Sequence, residues 1–273
     1  MIVISVVRDQ KMYDKCIRRN TFLSGSSCVC LDNTQDNQTI PARYNCFLDH
    51  YNYTKPEWFV FCHEDWEVKE DLLARLTSLD RGCLYGPIGM ALPKSVPGEL
   101  RGVGEIVCSN KDGSKQKTVG VFQTTLREVG TFDCQCLIVH SSLIQKYHLR
   151  FDENLSFDLY VEDFCMMARE KYHIVSKILQ LKCHHWSFGS VGERFLKQYC
   201  YIQNKYHNAR QVYITTCNRS LIGGSFFDRI LIYFSFYVIP FLFQKKQNSK
   251  GITSIKLFKI PVYRKRSKKE KQK

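Results

Sequence analysis

The sequence predicts an α/β protein built on a mostly parallel sheet with helices against it, and three observations carry that expectation. Apolar, strand-like runs alternate with helix-like segments through the first 80 residues or so. The 44% hydrophobic and 13% aromatic content is that of a packed globular chain. Several apolar runs empty directly onto ionisable residues, at Asp32, at His63-Glu64-Asp65 and at His184-His185. Ligands of such sheets sit beyond the carboxyl ends of the strands.

Taken in order, IVISVV (2–7) is a continuous apolar run, as in a strand buried on both faces. MYDKCIRRNTFL (12–23) reads as a helix, and SSCVCLDNT (26–34) as a strand ending at Asp32-Asn33. TIPARYNCFLDHYN (39–52) carries a proline near its start and apolar residues at helical spacing. WFVFC (58–62) is the third strand, and WEVKEDLLARLTSL (66–79) the helix after it. CLYGPIGMAL (83–92) reads as a glycine-bearing strand and residues 95–118 as a hairpin or excursion. TFDCQCLIVHSSLIQKY (131–147) is a strand followed by a short helix, VEDFCMMAREKYH (161–173) a helix, and HIVSKILQLKCHH (173–185) a strand. Residues 224–246 are expected to form an aromatic, amphipathic helix leading to a basic tail. Its apolar core, Ile230 to Phe243, is shorter than the ~20 residues that cross a membrane. It can lie in a membrane interface or pack on its own domain. The expected division is 1–222 for the main domain and 223–273 for a membrane-associating appendage.

Composition narrows the function. Net charge is +14, and the tail YRKRSKKEKQK (263–273) supplies seven basic residues against one Glu, so the body is only moderately basic. Nucleic-acid binding rests on that charge alone, because the tail has no interleaved aromatics for base stacking. No nucleic-acid partner is expected. Thirteen cysteines without a signal-peptide pattern read as reduced cytoplasmic thiols. Their spacings, Cys28-x-Cys30, Cys134-x-Cys136 and Cys183-His184-His185, do not reproduce the paired pattern of a structural zinc site. Gly102-x-Gly104 lacks the third glycine and the helix that a dinucleotide site needs.

Four acidic or histidine clusters carry chemistry. Asp32-Asn33 alone would be an Asx turn. In His63-Glu64-Asp65, a carboxylate beyond a strand end suits a divalent metal, and Asp65 equally suits a helix cap. Glu162-Asp163 opens a helix, where a carboxylate pair can supply a general base or simply complement the helix dipole. His184-His185 ends a strand before a glycine-containing loop.

Order and spacing bind these together. ARYNCFLDHY, VFCHEDWEV, LYGPIGMA, TFDCQCLIVHSSLI, LRFDENLSFDLYVEDFCMMAREKYH and KCHHWSFGS resemble successive motifs of family-2-like bacterial glycosyltransferases of the GT-A fold. The likeness covers roughly residues 1–195 and is nearest to the branch with His-x-Asp in place of Asp-x-Asp. It implies a Rossmann-like sheet and an inverting transfer of a sugar from a nucleotide-sugar, a UDP-sugar favoured. It implies Mg²⁺ or Mn²⁺ held by Asp65, His63 and His184, with His185 the alternate. Asp32 and Asn33 would contact the nucleotide together with Asp65, Asp133 and Gln135 would line the acceptor or sugar pocket, and Asp163 or Glu162 would be the base. Two departures stand: His63 makes the metal site less anionic, and Val161 fills a position often acidic. The implied acceptor is a glycan or lipid-linked glycan of a bacterial surface polysaccharide. The expected location is cytoplasmic, peripheral on the inner face of the plasma membrane. A nucleotidyltransferase and a non-catalytic nucleic-acid-binding protein are the alternatives. The first lacks a Gly-rich, basic loop after strand one.

Overall fold

The structure is a computed structural model that describes residues 1–93, 102–189, 191–235, 243–247, 252–257 and 260–266. β1 (Ile2–Val7) is followed by α1 (Gln10–Tyr13), which runs on into a wider turn over Asp14–Arg18 and a tight one over Thr21–Leu23. Then come β2 (Ser27–Asp32), α2 (Ile40–His50), β3 (Trp58–Cys62), β4 (Trp66–Val68), α3 (Leu72–Leu76), β5 (Leu84–Gly86) and β6 (Gly89–Met90). β7 (Gly104–Ser109) and β8 (Gln116–Val121) form a hairpin, followed by β9 (Arg127–Val129), β10 (Thr131–Phe132), β11 (Cys136–His140) and α4 (Ser141–Tyr147). α5 (Tyr160–Tyr172), β12 (Ser176–Ile178), β13 (Cys183–His185), α6 (Glu193–Lys205), β14 (Val212–Ile214) and β15 (Leu221–Gly223) complete the first of two compact units, Met1–Leu92 with Arg101–Gly224.

Its main sheet has seven strands in the order β2-β1-β3-β11-β5-β12-β9. β2, β1 and β3 are parallel, β5 and β12 are parallel, and β11 and β9 run the other way. The chain is therefore an α/β protein with a large, mostly parallel sheet flanked by helices, as its alternation of runs predicts. Alternation along the strands explains why both faces are apolar. Val3, Val7, Val60 and Cys62 face the irregular helical stretch after β1, packing with Met12, Cys16, Ile17 and Leu23. Phe59 and Phe61 turn the other way onto Phe47 and Tyr44 of α2. Thr39 caps α2 by accepting the Ala42 N–H, and Pro41 sits where a missing N–H costs nothing.

β11 is antiparallel between β3 and β5, a direction that a short apolar run does not carry. Two expectations are corrected. WEVKEDLLARLTSL is not one helix: Trp66–Val68 pairs with β13 as a strand, and only Leu72–Leu76 is helical, capped by Asp71. HIVSKILQLKCHH is two strands in different sheets, since Lys182 and its neighbours carry the chain from β12 to β13. The hairpin expected within residues 95–118 is present as β7 and β8, Gly104 to Val121. Gly104 there has φ +88°, and a Cβ would lie 2.0 Å from the Pro87 carbonyl oxygen, so the glycine serves close backbone approach. Residues 94–101 lie outside those described.

The second unit, Pro93–Leu100 with Ser225–Lys273, contains α7 (Phe226–Tyr233), closed at its start by a Ser225–Asp228 capping box. β16 (Phe243–Gln247), β17 (Ile252–Leu257) and β18 (Ile260–Arg266) form an antiparallel sheet. The expected helix over 224–246 is thus shorter, and Lys245 and Lys246 belong to a strand whose backbone groups are paired by β17. Residues 236–242 and 267–273, the latter most of the basic tail, lie outside the described residues. No helix among the described residues is long and apolar enough to cross a membrane.

Candidate active site

The cleft lies at the carboxyl ends of β1 and β3 and encloses about 1240 Å³. Its lining includes Arg8, His63, Glu64, Asp65, Asp133, Gln135, Asp158, His185, Arg194 and Thr216. Two antiparallel pairings assemble it. β11 starts beside the end of β3, with Cys136 opposite Cys62 and the His63 N–H donating to the Gln135 carbonyl at 3.0 Å. The turn Asp133–Gln135 is thereby set next to the His63–Asp65 loop. β13 pairs with β4, His185 opposite Trp66, and the Trp186 N–H donates to the Asp65 carbonyl at 2.9 Å. Glu64 fixes the end of β1 by accepting the Arg8 and Asp9 N–H groups at 2.6 and 3.1 Å.

His63, Asp65 and His185 each offer one ligand atom, and the three atoms lie within 4.8 Å of one another. Nε2 of His185 is 3.2 Å from Oδ1 of Asp65, yet it makes no hydrogen bond of acceptable angle and is left as an unpartnered buried ring nitrogen. Burial pulls the His185 imidazole down, but the Asp65 carboxylate outweighs it and the net shift is upward. Burial pushes Asp65 up, but the adjacent imidazole overrides this and holds it below its ordinary value. His63 is driven downward by burial, so its ring stays neutral, the form that ligates metal. A carboxylate between two imidazoles fits a divalent cation, which on binding would displace the proton that Asp65 favours on His185.

His184 does not join this group. Side chains alternate along a strand, so His184 and His185 face opposite ways. His184 meets Ser109 Oγ at 2.7 Å and stacks on Trp186 at 4.1 Å between ring centroids.

Glu162 and Asp163 occupy the first turn of α5, which begins at a buried Leu159 held at φ +62°. A left-handed leucine costs on the order of 1 kcal/mol. It lets the chain turn sharply from cavity-lining Asp158 into the helix. The two carboxylates then separate. Asp163 is 1% exposed and bound by Lys205 Nζ at 2.7 Å and Tyr206 OH at 2.9 Å. Burial still raises it. Glu162 is fully buried, and its two oxygens accept from Cys134 Sγ at 3.0 Å and Thr216 Oγ1 at 2.8 Å. Burial first, and the Asp133 charge second, raise it to about 7.

Asp133 and Gln135 both line the cleft. Asp133 Oδ1 accepts the Gln135 backbone N–H at 3.2 Å and its amide Nε2 at 3.1 Å. Oε1 of Gln135 is buried without a hydrogen-bond partner. Asp32 and Asn33 are not brought to the cleft. Asp32 accepts the Thr34 N–H at 2.9 Å in an Asx turn, and buried Asn33 exchanges two hydrogen bonds with Gln38. Gln38 itself reaches the lining. No pattern in the sequence marks Asp158, whose carboxylate is held by Arg194 Nε at 2.6 Å. Arg194 also lies over Phe157, which stands 5.3 Å from the His63 ring. Thr216 and Cys217 arrive from the β14–β15 turn, more than 150 residues from His63 in the chain.

No family model and no curated protein matches the sequence. Among solved structures, the chain is similar to GalNAc-T7 with UDP, GalNAc and Mn²⁺ (TM-score 0.48, 9% identity, 76% of this chain and 48% of that one). It is also similar to S. aureus TarS (0.45, 14%, 90% and 45%) and to A197 from STIV (0.38, 12%, 82% and 93%). The chain thus spans about half the length of the GalNAc-T7 and TarS chains. At TM-scores under 0.5 these likenesses bear on neither family nor function, which rest on the site itself.

Proposed function

We propose that the protein is an inverting, metal-dependent glycosyltransferase of the GT-A type that moves a sugar from a nucleotide-sugar to a hydroxyl of a glycan. The observation that carries this is the His63–Asp65–His185 cluster, with its unpartnered ring nitrogen, on a cleft whose other wall hides an ionisable Glu162. His63, Asp65 and His185 would hold the cation. When bound, Mn²⁺ or Mg²⁺ neutralises charge on a departing diphosphate. Glu162 is the proposed proton acceptor in place of Asp163, since Asp163 is committed to the Lys205 cation. Asp133 and Gln135 would orient sugar hydroxyls, and Arg194 holds Asp158 against the same space. Deprotonated acceptor oxygen attacking the anomeric carbon in one displacement inverts its configuration.

The nucleotide is proposed to be uridine and the acceptor a lipid-linked glycan of a surface polymer. Residues 223–273 are proposed to hold the protein at the inner face of the plasma membrane through exposed Phe226, Phe227 and Leu231 of α7 and the basic tail. Co-sedimentation with anionic vesicles, compared between the full chain and one ending at Gly224, tests that placement. Equal binding by the two sinks it.

The function itself is tested by nucleotide release from UDP-, GDP- and dTDP-sugars with Mn²⁺, Mg²⁺ or EDTA. Turnover of one sugar nucleotide that EDTA and Asp65→Ala abolish is the expected result. Silence across the panel, with no thermal shift from any nucleotide, overturns the reading.

A further inference from the structure

Glu162 presents a difficulty for any direct proton transfer. It is sealed, with 0% of its surface exposed, and it does not line the cleft, whereas both residues bonded to it do. Thr216 Oγ1 covers Oε1 at 2.8 Å, and Cys134 Sγ covers Oε2 at 3.0 Å. A substrate hydroxyl in the cleft therefore meets Thr216 or Cys134 before it meets the carboxylate. Of the two, only the threonine suits both ends of a transfer. Its hydroxyl carries one proton, already aimed at Glu162, and two lone pairs able to accept another. A thiol sulfur is a weak acceptor. Burial and the neighbouring Glu162 also hold the Cys134 thiol well above its ordinary value.

We propose that Thr216 is the relay through which the acceptor hydroxyl loses its proton to Glu162. This rests on the glycosyltransferase reading. The acceptor O–H proton passes to Thr216 Oγ1 as the Thr216 proton passes to Glu162 Oε1. The acceptor oxygen bonds to the anomeric carbon, and the bond from that carbon to the diphosphate oxygen breaks, its electron pair leaving with the nucleotide. Thr216 ends as it began, and Glu162 ends protonated. Cys134 keeps the second carboxylate oxygen bonded, which orients the first toward the threonine. The titratable and charged groups facing Glu162 are Asp133 and Cys134 from the turn before β11, Cys165 of α5 and Cys217 from the turn after β14. An ionisation near neutral pH matches the task, because such a group can take a proton and release it again.

The test compares wild type with Thr216→Val, Thr216→Ser and Thr216→Ala, using nucleotide release from the donor that the wild type turns over. Rates are measured against pH and in mixtures of H₂O and D₂O, with melting temperatures taken in parallel. The expected result is a fall of about 100-fold for Thr216→Val and Thr216→Ala, and recovery to within about threefold for Thr216→Ser. The wild-type and Thr216→Ser rates should curve with deuterium fraction, as two protons in flight require. The residual rate of Thr216→Val should vary linearly. Two alanine- or valine-type variants guard against loss of packing in one. A Thr216→Val enzyme with an unchanged rate and pH profile overturns the relay while leaving the transferase reading intact. So does a Thr216→Ser enzyme as slow as Thr216→Val. A wild type that releases nucleotide from no sugar donor overturns both.

Discussion

The two walls of the cleft hold the same kinds of side chain and treat them in opposite ways. On the β3–β13 wall, Asp65 and His185 face the cavity with a ring nitrogen left unbonded. On the α5 wall, Glu162 is withdrawn and both its oxygens are bonded. An open, incompletely satisfied cluster can accept a cation. A sealed, satisfied carboxylate can only exchange protons through its partners. Placement relative to the cavity, more than residue type, separates a ligand from a base.

The largest effect expected is on the open wall. Asp65→Ala or His185→Ala should lower Mn²⁺ affinity by about 100-fold or more, read by calorimetry, and abolish donor turnover. His184→Ala, one residue away on the opposite strand face, should leave Mn²⁺ affinity within a few-fold. Equal losses at 184 and 185 would break the distinction.

On the sealed wall, Glu162→Gln should cut turnover by roughly 10³-fold while the protein still folds. Asp163→Asn should do the reverse. It removes an anion from the Lys205 ammonium and should destabilise the fold by about 3 kcal/mol in denaturant titration. Asp152, which holds Lys205 at 2.6 Å, softens that loss.

The pH dependence sharpens the same contrast. Glu162 must be ionised to take a proton, so turnover should rise with pH through about 7 and then level off. Its folded pKa lies above the ordinary 4.5, so the native state holds a proton that the unfolded chain releases. Stability from this group is complete below about 4.5, declines as pH rises and is lost through about 7. In Glu162→Gln that decline should be absent from chemical-denaturation curves between those pH values.

The smallest effect concerns the turn of the β7–β8 hairpin, whose strands line part of the cleft. Lys111 Nζ bonds Asp9 at 2.6 Å, but the lysine is well exposed. Lys111→Ala should cost less than about 1 kcal/mol, and less again at high salt. A larger loss would mean that the hairpin tether matters to the site.

Much of the architecture was legible because it is local. A run of five apolar residues broken only by Ser5 marks β1, helical periodicity marks α2 and α5, and residues that interrupt such runs mark the turns. The HEDW segment stood out because an apolar strand stopped on three ionisable groups. Asp32 also stood out, but its side chain is satisfied by a local Asx turn, a possibility the sequence left open. The choice between His184 and His185 depended on which face of β13 meets the cleft. That is fixed by pairing with β4, a strand that the sequence disguised as a helix.

The sequence by itself determined the α/β class, the strand ends at which ionisable groups collect, and most helices, because each depends on neighbours a few residues apart. Tertiary structure decided the reversed direction of β11, the joining of His63 to His185, and the covering of Glu162 by Cys134 and Thr216. These contacts link residues 28 to 122 positions apart. Local periodicity carries no information about such pairings. They are selected by which buried surfaces and backbone hydrogen bonds can be satisfied together once the chain has collapsed.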